Sequence, residues 1–569
     1  MKLAGMLVAF LATTMITAQA QSSSPDTIYL HGNIYTGAVQ TFSPPWVEVK
    51  PRAQAMAVRQ GRVVAVGNDA EISRLKGKHT RVVDLKGSFV MPGFNDAHTH
   101  LASAGFGKMN VDLTGTRSLE EMQARIAERV KTAQPGEWIR GRGWDHTLWS
   151  ERKLPTRQAL DAVTGDHPAF FTRVDGHIAV ANSAALHAAG ITRNTPDPAG
   201  GKIDRDAAGE PTGILREDPA MELVVSREPK PTPAQHLRAM QIALQDAAHS
   251  GVTSAQDFSD WDDFLVAEEL ENEGKLTLRL SEWLPFVDPL DILEKHRAYH
   301  SDSDAMLHTA MLKGFMDGSL GSRTAALMAP YSDDPKNSGL PQFEQARLNA
   351  MMDERAAAGF QVGFHAIGDR GVEMALQAFA EADRYLQERQ PQAVRNQDHR
   401  WRIEHAQVLD AGQFARFREL GVIASMQPNH LLTDMNWALA RLGPQRARYS
   451  YAWKSFLENR VWLAFGTDYP VEPISPFPGM YAALTRKNAA GTAEYFPQEK
   501  LTIDQAIAAY TTGSAYAQFA EHDKGMLQPG MWADFVVLDR DITRIPPPQI
   551  LHTRVLRTVV GGKAVYEAK

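Results

Sequence analysis

Two histidines, His98 and His100, stand one residue apart at the end of the segment MPGFNDAHTH. In a strand, side chains at i and i+2 leave the same face, and two imidazoles on one face can hold one divalent cation. Two ligands do not make a site, so the rest of the chain must supply others. Four further residues of ligating or charged type lie inside apolar runs: Lys313 in LKGFMDG, His365 in VGFHAIGD, His405 in RIEHAQ and Asp468 in AFGTDYP. Burying such groups costs several kcal/mol unless they are paired or coordinated. A divalent metal centre would engage all six at once. Singly, each has a plainer account: an incidental HxH pair, two hydrogen-bonded core histidines, a lysine at a strand end reaching for solvent, and an aspartate capping the next helix.

The elements that would carry these residues form a pattern. Apolar, β-rich runs alternate with helical ones such as SLEEMQARIAERVKTA and AQHLRAMQIALQDAAHS, the signature of a parallel sheet with helices outside. Eight strand candidates can be counted: SFVMPGFNDAHTH, GVTSAQDF, LRLSEWLPF, AMLKGFMDG, FQVGFHAIGD, WRIEHAQV, VIASMQPNH and VWLAFGTDYP. Eight predict an α/β fold, a (β/α)8 TIM barrel over residues 91–521, and each of the six residues then falls near a C-terminal strand end, where barrel active sites are built. The long gap after the first strand predicts an inserted cap at about residues 105–230. Short strands broken by glycine turns occur in residues 24–90 and again in 522–569, so both ends of the mature chain are expected to form one small β-sandwich domain.

Composition narrows the function. The chain has 569 residues, 43% hydrophobic and 22% charged, with a formal net charge of -7 and no long basic run, which argues against a nucleic-acid partner. It has no cysteine, so neither a disulfide nor a thiolate ligand or nucleophile is available. No G-x-G-x-x-G follows the first α/β strand, which excludes a dinucleotide-binding dehydrogenase. Lys2, the apolar LAGMLVAFLATTMITA and the small-residue AQA read as a signal peptide over residues 1–20. The alternative is an N-terminal anchor, but the apolar stretch is short and followed by QSSSPD. Cleavage implies an exported protein, periplasmic or secreted, with no membrane association afterwards.

Several segments resemble the amidohydrolase superfamily, in the branch that includes N-substituted formamide deformylases. MPGFNDAHTH resembles the first metal motif, KGFMDGSLGSRTAAL the strand-four signature, DGHIAVANSAAL the cap motif, GTDYPV the last metal motif, and LQPGMWADFVVLD the returning β domain. The resemblance spans nearly all of the mature chain. It implies two metal ions, zinc by preference. His98, His100 and Asp468 would hold one and His365 and His405 the other, with Lys313 bridging both after carboxylation by carbon dioxide. With Lys313 unmodified, a single-metal site on His98, His100 and Asp468 is the alternative.

The implied reaction is hydrolysis of a C–N, amide-type bond in a small N-substituted amide, with a water activated by the metals as nucleophile and Asp468 moving the proton to the leaving nitrogen. His177, in VDGHIAVAN, would bind substrate or stabilise the oxyanion, or be structural. Trp144 and Asp145 would line the substrate pocket, with cap core as the other role for Trp144. Gln427 and His430 end strand seven toward the mouth. Arg323 would bind an anionic substrate group or, by preference, pair with Asp317, and DGSLGS is expected to shape a tight loop. The same site could instead serve cyclic amides, lactones or other esters, or persist on a non-catalytic exported binding or regulatory protein. The outer helices of a barrel offer a surface for a homodimer.

Overall fold

The eight strand candidates are the strands of one parallel, nearly closed barrel. In the computed structural model, which describes residues 24–173, 178–198, 201–301, 303–389 and 398–569, they run in sequence order around the sheet. They are β1 (Phe94–Thr99), β2 (Val252–Asp257), β3 (Arg279–Pro285), β4 (Leu307–Phe315), β5 (Gln361–Ala366), β6 (Arg402–His405), β7 (Ile423–Met426) and β8 (Leu463–Phe465). Every residue of β2, β7 and β8 is buried, as expected of parallel strands covered by helices outside and packed side chains within. The helix Pro233–His249 shows why these segments fold outside the sheet. Thr232 and Gln235 form a capping box at its start, Pro233 occupies the first turn, and Ala239, Met240, Ala243, Leu244 and Ala247 make its buried stripe.

The ring closes between β8 and β1. The chain after β8 pairs in parallel with Thr99 through Tyr469, Asp468 N–H donates to the His98 carbonyl at 2.8 Å and His100 N–H donates to the Tyr469 carbonyl at 2.8 Å. The hydrogen bonds that close the barrel therefore also bring Asp468 beside the HxH pair. Gly466 makes the approach feasible, because a Cβ there would lie 2.6 Å from both Asp96 Oδ1 and the His98 nitrogen.

After β1 and the helix Leu101–Met109 the chain leaves the barrel and returns at Pro233. Between them lies a six-stranded mixed sheet in the order 111–112, 139–144, 169–173, 178–181, 211–216, 202–205, with its own core around Trp144, Trp149, Leu160 and Phe171.

Both ends of the described chain join in a third unit. Thr27–Leu30 sits in a four-stranded sheet with Ala55–Arg59, Arg62–Gly67 and Arg81–Asp84. Phe89–Pro92 pairs antiparallel with Phe535–Leu538 in a five-stranded one. Tyr29, Met56, Val90, Phe535 and Val559 fill one core between the two sheets. The run expected as the first barrel strand is thus split at Gly93, with Phe89–Pro92 in this unit and Phe94–Thr99 in the barrel. A Cβ on Gly93 would meet Thr253 at 2.2 Å. The expected signal peptide lies outside the described residues. Among the described residues no helix is long and apolar enough to cross a membrane.

Candidate metal centre

Three imidazoles at the C-terminal end of the barrel are held by the same device. Nδ1 of His98 lies 2.8 Å from a Glu404 carboxylate oxygen, Nδ1 of His100 lies 3.0 Å from the Phe258 carbonyl, and Nδ1 of His405 lies 2.8 Å from Oε1 of Gln427. Each partner can only accept, so each Nδ1 carries the proton and each Nε2 keeps its lone pair. The Nε2 atoms of His98 and His100 lie 3.6 Å and 3.1 Å from Asp468 Oδ1. A lone pair facing a carboxylate at 3.1 Å is reconciled by a cation between them. This donor set fits a divalent metal, because ligating histidines commonly hand their other N–H to a carboxylate or carbonyl that fixes ring and tautomer.

Two groups of ligand atoms converge within 4.8 Å: His98 with His100 and Asp468, and His405 with His430 and Asp468. Asp468 is shared. Burial works to raise its carboxyl, but positive charge among His98, His100, His405 and His430 outweighs burial and holds it well below the usual carboxylate range; with those rings neutral, a cation at their Nε2 atoms would supply that charge. Burial, and then the Lys313 charge, bring His98 down to about 3, and burial with His365 beside it keeps His405 neutral. Asp468 and His405 both sit in left-handed backbone, with φ of 59° and 71°, a conformation that costs energy in a non-glycine residue and clusters at functional sites.

Lys313 is buried with its Nζ 3.0 Å from Nε2 of His98, and the rings of Trp283, Phe315 and Phe258 surround it at 5.2, 5.1 and 6.0 Å. Burial lowers its amine to about 8, against the pull of Glu404 and Asp468. His365 is the outlying member. Its ring lies 4.5 Å from that of His405, while its Nε2 meets the Gly318 carbonyl at 3.1 Å.

Beneath the ligands lies a polar layer that single-residue scanning of the sequence does not reveal. Arg402, fully buried, donates through Nε to Glu404 at 2.8 Å and through a terminal nitrogen to the Ala97 carbonyl at 2.8 Å and Ser425 at 2.9 Å. Burial would raise Glu404, yet Arg402 and His98 hold it at about 2. Asp96 accepts from the His98 and Thr467 N–H groups at 3.1 and 2.9 Å and from the Thr467 hydroxyl at 2.6 Å, tying β1 to the loop after β8. Glu404 carried a sequence signal, since a carboxylate beside His405 in an apolar strand needs a partner. His430 joins the ligand group from the helix that follows β7.

The signature described as "Amidohydrolase family" matches residues 81–566. The chain belongs to the amidohydrolase family. It is 34% identical to the Arabidopsis thaliana protein LONG AFTER FAR-RED 3 over 91% of this chain and 89% of that one. It is 28% identical to the N-substituted formamide deformylase of Arthrobacter pascens over 90% and 95%. A crystal structure of a metal-dependent hydrolase from Pyrococcus horikoshii OT3 superposes with a TM-score of 0.74 at 30% identity, covering 92% of this chain and 99% of that one. Metal dependence thus accords with the donor set read from the geometry.

Other expected site residues of this amidohydrolase fall elsewhere. Trp144 does not line a substrate pocket: it is fully buried in the cap core, and its indole N–H donates to the Phe171 carbonyl at 2.9 Å. Asp145, half-buried, is ion-paired with Arg173 at 2.7 Å. Gln427 is buried and its oxygen orients His405. Arg323 does not pair with Asp317. It binds Asp333 at 3.0 Å, while Asp317 accepts the N–H groups of Ala326, Ile367 and Gly368 and shapes the loop. His177 lies outside the described residues.

Proposed function

We propose that this amidohydrolase cleaves a C–N, amide-type bond in a small N-substituted amide, using two zinc ions. The observation that carries the reading is the convergence of locked imidazoles on one shared carboxylate, Asp468. His98, His100 and Asp468 would hold one ion, His365 and His405 the other, and Lys313 would bridge them as a carbamate. Carbamate formation needs an unprotonated amine, which attacks carbon dioxide and releases a proton; the lowered Lys313 amine suits that step. Bound zinc would polarise the substrate carbonyl and lower the pKa of a water.

The protein's own part in the chemistry is proton handling and orientation. Asp468, ionised in its ring of imidazoles, accepts the proton of the attacking water and delivers it to the leaving nitrogen. Glu404, Gln427 and the Phe258 carbonyl keep the three rings in one tautomer, so no proton competes for Nε2. The choice of an amide rests on the formamide deformylase relative together with the donor set.

The test begins with metal content per chain, followed by hydrolysis assays on a panel of N-substituted formamides, cyclic amides and lactones. About two zinc ions and preferential turnover of formamides support the reading. Turnover of lactones alone would transfer the site to ester chemistry. We also infer export from the charged start, apolar middle and AQA of residues 1–20; the amino terminus of the mature protein tests it.

A further inference from the structure

The opposite end of the barrel holds a second polar cavity, of about 660 Å³, where the small β unit meets the N-terminal ends of the strands. Arg279 opens β3, His308 and Thr309 open β4, and Gln518 and Lys524 come from the chain returning to the β unit; all face this cavity. His308 precedes Lys313 by five residues on one strand, about 16 Å at the usual rise. A small molecule bound here does not touch the metal ligands. Cavities of this size at a junction between structural units are typical small-molecule sites.

Its polar lining is under-used. Gln518 is 7% exposed, and neither atom of its side-chain amide has a hydrogen-bond partner among the described residues. The Thr309 hydroxyl, in a side chain also 7% exposed, is in the same condition. Buried polar groups in folded proteins are as a rule hydrogen-bonded, and several exceptions on one wall call for a common cause. Lys524, 6% exposed, gives one hydrogen bond, to Ser254 Oγ at 2.6 Å, and keeps further donor capacity. Arg297 adds a guanidinium lying 3.8 Å over the Phe360 ring, with one terminal nitrogen on the Ala358 carbonyl. Donors and positive charge exceed acceptors: Asp534 is taken up by Arg279 at 2.6 Å and Asp523 by Arg62 at 2.9 Å, while Asp304, the other carboxylate on the lining, accepts the Met306 and Leu307 N–H groups at 2.7 and 3.3 Å and lies 3.4 Å from His300.

We propose that this cavity is a binding site for a small oxyanion, a carboxylate or phosphate, gripped by Lys524, Gln518 and Thr309. Burial and the Arg279 charge bring Lys524 down to about 7, against Asp534 and Asp523; neighbouring His308 is neutral for the same reason of burial. An anion beside Lys524 restores its charge, so binding at about pH 8 takes up a proton. The N-terminal face of such barrels serves stability rather than catalysis, so the ligand acts on the protein and is not its substrate.

Isothermal titration of the metal-loaded full chain with inorganic phosphate and, separately, with succinate tests the site. At least one should bind saturably at one per chain, with net proton uptake at about pH 8. Lys524→Met and Gln518→Met should each weaken binding tenfold or more without changing metal content. Should Lys524→Met fail to fold, Thr309→Val takes its place beside Gln518→Met. Saturation by phosphate alone identifies a phosphate site and by succinate alone a carboxylate site. No saturable binding of either, or unchanged affinity in the variants, overturns the proposal.

Discussion

The Glu404 carboxylate on β6 accepts a hydrogen bond from Nδ1 of His98 on β1 at 2.8 Å, and neither side chain reaches solvent. The contact fixes the ring, fixes the tautomer and leaves Nε2 as a ligand atom. Replacing Glu404 with Gln removes the charge behind His98 and leaves Arg402 buried without its carboxylate. Metal affinity should fall roughly 10–100-fold, measured by competition with a calibrated chelator. An unchanged affinity would reduce the pair to barrel packing.

Asp468 is both a shared ligand and the proposed proton carrier. Asp468→Asn keeps size and shape but cannot take a proton, so kcat on the best substrate of the panel should drop about 10²–10⁴-fold. Thermal unfolding run in parallel should still show a cooperative transition. A variant with full activity would remove Asp468 from proton transfer.

Lys313 offers a test of the bridge that does not depend on knowing the substrate. Lys313→Ala should lower zinc from about two to about one per chain, and short carboxylic acids should restore part of the activity by occupying the vacated position. Zinc content equal to that of the parent protein would count against a carbamate.

Trp144 now belongs to the cap's interior. Trp144→Ala should cost roughly 3–5 kcal/mol of stability, as for other large buried aromatics, read from denaturant unfolding. Trp144→Phe loses the hydrogen bond to Phe171 and part of the ring volume, a smaller packing loss than Ala, and should leave KM unchanged. A raised KM in a stable Trp144→Phe variant would return this residue to the substrate pocket.

Lys524 makes stability depend on pH at the alkaline side. Burial lowers its amine from the ordinary 10.5 to about 7 in the folded protein. Between those values the unfolded chain binds more protons than the folded one, so this residue's contribution makes stability rise as pH rises from about 7 to about 10.5. The difference between parent and Lys524→Met unfolding profiles isolates it, and should span on the order of a few kcal/mol across that window. Parallel profiles would show that the amine is solvated.

The barrel was legible because its evidence is periodic. Each strand is a short apolar run, and the ligating residues stand out as polar exceptions at the strand ends. His98, His100 and Asp468 could be found that way, and the structure brings them within ligand distance of one another. What the sequence hides is the partner on a distant strand. Glu404 and His98 are 306 residues apart, and nothing local says that Gln427 faces His405 rather than the mouth. His430, expected at the end of strand seven, instead opens the helix after β7, with its Nε2 3.6 Å from Asp468. Arg323 illustrates the opposite error, a nearby plausible partner that packing decides against, while for Trp144 packing selects the cap core from the two roles open to it.

The strand Phe89–Pro92 receives its partner from Phe535–Leu538, more than 440 residues later. Until the later segment arrives, this sheet stays half-built, whichever part of the barrel between them forms first. Until then its edge is open to any passing strand. Phe535–Leu538 thus acts as a fastening for the small β unit, and a chain cut short before it would carry a sticky, unmated edge, a natural target for quality-control proteases.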